Sequence, residues 1–261
     1  MRHLPKGAIR KLCTFNDPYL LAIGGLLVLA TLLALLSLMF RGYYTGRETY
    51  FFLFKDLFLA WVPMGLSLAL VWLARRRSRK LSRVSLRYGL LLAWVLFLPN
   101  APYLLTEFLH LNSHHAPQNM RLIPLLALLH STRSGHVPLW YDAFMILLFA
   151  WNGLLLGVLS LRMVQHVARE RFGAAWGWVG AMALLLLAAF GVTLGRFERF
   201  NSWDILSRPG TLLADITSRV LRPLAHPHTT GATLLLSAFL FLTYLTMVAM
   251  MNAGRNTAIK D

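Results

Sequence analysis

The sequence predicts an all-α, polytopic transmembrane bundle of about six spans, with a proline-broken third span and amphipathic helices lying at the interface. Three observations carry this. Hydrophobic residues make up 57% of the 261 residues and charged ones only 14%, too few to clothe a soluble domain. The apolar residues fall in long runs, of which "YLLAIGGLLVLATLLALLSLMF" (19–40) has no charge and is long enough for a ~30 Å hydrocarbon core. Basic residues gather between those runs, where a membrane protein keeps its cytoplasmic loops, so the net charge of +16 reads as topology and not as a nucleic-acid surface.

The runs lie at 19–40, 50–74, 86–109, 140–161, 174–194 and 233–252. They define one membrane domain, 19–252, between an N-terminal segment (1–18) and a tail (253–261). No signal-peptide cleavage pattern follows the first run, which is therefore read as an uncleaved span. Alternate loops carry sixteen basic residues against nine, with Lys55 inside the second run. The dense "RRRSRKLSRVSLR" (75–87) belongs to the richer set, and this orientation puts both termini in the cytoplasm. A bacterial inner membrane is the expected location. Cys13, the single cysteine, has no internal disulfide partner.

The third run is the unusual one. From Leu86 to Leu98 is about 20 Å of helix at ~1.5 Å per residue, so "PNAP" (99–102) falls inside the outer half of the bilayer. Proline removes a backbone donor, and the groups it frees must be buried in protein or line a wet cavity. Asn100 is placed to cap the restarting helix, with Pro102 in its first turn. Beyond the break Tyr103, Glu107 and His110 recur at i, i+4 and i+7 with Thr106 beside them, a polar stripe expected to face the bundle interior. An ordinary interfacial helix whose Glu and His meet water is the plainer alternative.

Two more polar clusters reach the same side. "PLWYDAF" (138–144) opens the fourth span, with Trp140 and Tyr141 suited to the aromatic belt and Asp142 in the first turn, where a carboxylate favours the helix dipole. "GRFERFNSWDIL" (195–206) follows the fifth span and gathers Arg196, Arg199, Asn201, Ser202, Trp203 and Asp204. "TLLADITSRVLRPL" (211–224), with Asp215 and Arg219 at i, i+4, reads as a helix lying on the outer surface, and "NMRLIPLLALLH" (119–130) as a similar one interrupted by Pro124. His114, His115, His226 and His228 read as solvated loop residues. Lys55 and Asp56, near the outer end of the second span, either snorkel or join the polar group; snorkelling is the reading taken. Gly153/Gly157 and Gly191/Gly195 have the G-x-x-x-G spacing that lets helices approach closely.

"FLPNAPYLLTEFLHL", "WYDAF", "GRFERFNSWDIL" and "FLAWVP" (58–63) together resemble the hallmark segments of a bacterial membrane family, domain of unknown function 1361. The resemblance spans most of residues 20–250 and implies a multi-pass bacterial membrane protein, with no activity to carry over. It departs at 112–137, which is long, and at Lys55 and Asp56, where neutral residues are expected.

Three functions suit such a cluster. An enzyme acting on a lipid or lipid-linked substrate would use Glu107, His110, Asp142 and Asp204 as catalytic groups or as ligands of a divalent metal whose identity the residues leave open. Asn100, Tyr103, Tyr141, Arg196, Arg199, Asn201 and Trp203 would bind the substrate. A transporter or ligand-binding protein would use the broken span as its site. A structural or assembly protein would use the same residues as a packing network. The expected partner is the lipid bilayer; the oligomeric state is left open.

Overall fold

The computed structural model describes residues 18–46, 48–75, 81–115, 139–197, 207 and 209–257. These are helical, with no strand among the described residues. Six helical segments are long and apolar enough to cross a membrane. The elements are α1 (Pro18–Thr45), α2 (Phe52–Arg75), α3 (Leu81–Phe97), α4 (Asn100–Tyr103), a 3-10 turn (Leu104–Glu107), α5 (Phe108–His115), α6 (Leu139–Phe172), α7 (Ala174–Phe197), α8 (Pro209–Leu221), a second 3-10 turn (Pro223–Ala225) and α9 (Pro227–Thr257).

The central helix is α6, which packs on α1, α2 and α7, while α7 pairs with α9 and α2 with α3. One apolar cluster joins α1, α2, the break and α6 through Leu27, Leu53, Leu104 and Phe149. A second joins α3, α6, α7 and α9 through Trp94, Leu161, Leu185 and Tyr244. Towards lipid, α1 exposes Leu26, Leu29, Leu33 and Leu36, as a helix on the rim of a bundle does in a solvent as apolar as itself.

Hydroxyl and indole groups tie the helices together where water is absent. Trp94 donates its indole N–H to Ser160 Oγ at 2.7 Å, and Ser160 donates to the Pro63 carbonyl at 2.9 Å, so one serine joins three helices. Deeper between α1, α2 and α6, Trp61 and Asn152 both donate to Thr31 Oγ1. Such groups have few alternative partners in hydrocarbon and hold the helices in register.

The fourth span differs from its sequence reading. Residues 162–172, with Arg162, Arg169 and Arg171, continue α6 as helix where a loop was expected. A single residue then reverses the chain: Gly173 at φ +95° accepts a left-handed conformation that side chains disfavour. The tight turn lets Arg169 lie across Gly177, where any β-carbon would clash. His115 ends α5 and His228 lies in α9, while His226, between the second 3-10 turn and α9, stands 3.3 Å from Ser218 Oγ. The expected surface helix is α8, braced as anticipated by Arg219 on Asp215 at 2.7 Å; Arg219 also donates to Thr229. The 119–130 segment lies outside the described residues.

Candidate functional site

Two prolines shape the third span. Neither Pro99 nor Pro102 has an N–H, so the α-helical ladder stops at Phe97 and the chain tightens. Ala101 N–H turns back to Leu98 O at 3.2 Å, and Tyr103 N–H bonds Pro99 O at 3.1 Å. Ala101 would ordinarily serve Phe97; its shift frees that carbonyl, and Asn100 Nδ2 fills the gap at 3.0 Å. Asn100 therefore repairs the old helix and does not cap the new one, whose N-cap position is Pro99 with no side-chain cap bond. The break is buried against glycines: a β-carbon on Gly153 would collide with the Ala101 carbonyl, and one on Gly157 would come within 3.2 Å of Ala101 Cβ. On α7, Gly191 receives Pro99 in the same way. Three of the four glycines expected to bring helices together thus seat the irregular backbone.

The 3-10 turn then delivers Glu107 into the bundle with 1% of its surface exposed. Arg196, at the end of α7, stands 3.5 Å from Glu107 Oε1 and donates more firmly, at 2.9 Å, to the Thr106 carbonyl. Its guanidinium lies 5.8 Å from the centre of the Tyr103 ring. His110 Nε2 lies 3.6 Å from Glu107 Oε2, an oxygen with no hydrogen-bond partner among the described residues. Asp56, on α2, is within electrostatic reach of both Glu107 and Arg196, and Lys55 Nζ is 3.8 Å from Asp56 Oδ1. Asp56 turns inward with 13% of its side chain exposed, whereas Lys55, 71% exposed, points outward as the snorkelling reading expects. The signal for the inward Asp56 was its departure from the neutral residue that the family pattern led one to expect.

A second centre forms between α1 and α6. Arg41 grips Asp142 with Nε to Oδ1 at 2.6 Å and Nη2 to Oδ2 at 3.0 Å, and both residues are buried. Such a bidentate pair engages both carboxylate oxygens. Arg41 also lies 4.3 Å over the Tyr50 ring. Burial first, then the Asp142 charge, raises the Tyr50 phenol above its ordinary range, so it stays a neutral hydroxyl. Tyr141 donates its hydroxyl to the Ser37 carbonyl at 2.7 Å, and Trp140 faces outward. Sequence reasoning missed Arg41, because nothing near it in the chain names a partner 101 residues away.

The two centres are linked by rings: Tyr50 to Phe52 at 6.1 Å and Phe52 to His110 at 5.0 Å. Of the predicted site residues, Glu107, His110, Arg196 and Tyr103 come together. Asn100 serves the break, and Asp142 and Tyr141 serve the α1–α6 contact. Arg199, Asn201, Ser202, Trp203 and Asp204 lie outside the described residues. No group of three His, Cys, Asp or Glu suited to a metal forms among the described residues, and Asp142 already gives both its oxygens to Arg41.

A family model described as a protein of unknown function (DUF1361) matches residues 56–250. No curated protein and no solved structure matches the chain. Both prolines of the break, Glu107, His110, Asp142 and Arg196 fall within the matched stretch, as do all six residues from Arg199 to Asp204. The chain, with its six membrane-length helices, therefore belongs to the DUF1361 family.

Proposed function

We propose that the protein is an enzyme of a bacterial inner membrane, its termini cytoplasmic, in which Glu107 is the general base for a lipid or lipid-linked substrate at the outer leaflet. The observation that carries this is the contrast between two buried carboxylates. Asp142 is closed by two short hydrogen bonds, as a structural charge should be. Among the described residues Glu107 keeps only loose contacts at 3.5 and 3.6 Å, with one oxygen unbonded. A buried polar group left unsatisfied is costly, so its persistence argues for a task. Catalytic contacts are often long before substrate arrives and shorten in the complex. His110, whose side chain is 39% exposed, is the route by which Glu107 exchanges its proton with water. Arg196, anchored on the Thr106 carbonyl, offers its remaining donors to an anionic group.

The experiment is reconstitution into vesicles of phosphatidylethanolamine and phosphatidylglycerol doped with a lipid extract of the host, with lipid species followed by mass spectrometry. Wild-type protein should convert a species that Glu107→Gln leaves intact. Identical lipid profiles for the two would end the enzyme reading. A transporter is the second reading, favoured by the 3-10 turn that opens the third span beside Glu107. Glu107-dependent solute uptake into the same vesicles, without lipid conversion, would select it. Topology is checked with a cysteine at Ala225 in a Cys13→Ser background, which should react with an impermeant maleimide from outside the cell.

A further inference from the structure

We infer that Lys55 is the lipid-facing entrance of the Glu107 centre and binds the phosphate of an anionic phospholipid, which reaches the site sideways from the bilayer. This rests on the reading of Glu107 as a working residue, and it names the substrate class.

The argument begins with α2. Residues 51, 54, 55 and 58 lie along one side of the helix and its entry, at i, i+3, i+4 and i+7. Phe51, Phe54 and Phe58 are 45%, 60% and 66% exposed, whereas Leu53, Leu57 and Ala60 on the other side are buried. The first face therefore looks out of the bundle at lipid. Lys55 projects from its middle with 71% of its side chain exposed. It is the fourth residue of α2, about 5 Å from the start of the helix at ~1.5 Å per residue.

An ammonium on a phenylalanine-covered face needs acceptors for three donors. Among the described residues Lys55 has Asp56 at 3.8 Å, an ion pair too long to be a hydrogen bond. The anionic group that surrounds such a position in a membrane is the lipid phosphate, and a cation framed by aromatic rings complements it. A lysine that merely snorkels needs no acid behind it. Here the adjacent Asp56 turns inward, with 13% of its side chain exposed, and α2 packs on the 3-10 turn that carries Glu107. From the exposed side of α2 inward the order is thus Lys55, Asp56 and the turn that bears Glu107. A phosphate held on Lys55 sits at the outer side of that contact, with the acyl chains in lipid against Phe54 and Phe58.

The test uses purified full-length protein in micelles, with bound lipid read by native mass spectrometry. Wild type should retain phosphatidylglycerol about tenfold better than phosphatidylcholine. Lys55→Gln should abolish the preference and Lys55→Arg restore it, and excess inorganic phosphate should not compete. Retention unchanged in Lys55→Gln, or equal retention of the two lipids, would overturn the proposal. Efficient competition by inorganic phosphate would move the source of the ligand to water and overturn the lateral route. Glu107→Gln should still bind lipid: Lys55-dependent binding by a protein without Glu107-dependent conversion would defeat the catalytic reading and leave this one standing.

Discussion

The ring of Pro99 rests on the bare α-carbon of Gly191, so close that a β-carbon there would come within 2.8 Å of Pro99 Cγ. The helix break is thus held from both sides: by Gly191 on α7 and by Gly153 and Gly157 on α6. Everything the third span does beyond Phe97 depends on that clamp, because a broken backbone in the membrane has to be enclosed by protein.

Filling the clamp should loosen it. Gly153→Ala meets a backbone carbonyl that cannot swing aside and should cost about 1–3 kcal/mol, with Gly191→Ala somewhat milder because a ring can shift. Gly65→Ala, where the new methyl meets nothing, should be neutral or gain up to about 1 kcal/mol from helix propensity. Thermal unfolding in detergent reads all three, and equal melting temperatures would contradict the clamp.

The Arg41–Asp142 pair should behave as a structural unit. Asp142→Asn strands a buried guanidinium and should cost about 3 kcal/mol, whereas Arg41→Met combined with Asp142→Leu should recover most of that loss. A double-mutant cycle measures it, and purely additive single effects would argue against coupling.

Glu107→Gln should do the opposite. It removes no short hydrogen bond, so stability should move by less than about 1 kcal/mol while function disappears. A large drop in melting temperature would instead mark Glu107 as part of the scaffold.

Ser160→Ala strands the Trp94 indole N–H and removes a cross-helix donor to the Pro63 carbonyl, and should cost about 1–3 kcal/mol. The Trp94 indole proton resonance should shift as well. An unmoved resonance would mean that the indole has another partner.

The spans, the break at "PNAP" and the surface helix over 209–221 were legible in sequence because each follows from a local rule: run length, a missing N–H, an i, i+4 ion pair. The pairing of Glu107 with His110 was legible for the same reason, since three residues of helix bring them to one face. Asn100 misled because helix-capping rules assume a regular start, whereas here a carbonyl orphaned upstream claimed its amide. Asp56 misled because its neighbour Lys55 points outward, and adjacent residues on a helix face about 100° apart.

The sequence by itself determined a six-span helical membrane protein with an interrupted third span, since burial of apolar length and proline chemistry are properties of short stretches. Only the tertiary structure decided which charge meets which. It joined Arg41 to Asp142 across 101 residues, set one Glu107 oxygen by Arg196 and left the other unbonded beside His110 among the described residues. Partner choice among buried charges depends on helix order and rotation, which are set by packing across the whole bundle and are written in no single segment.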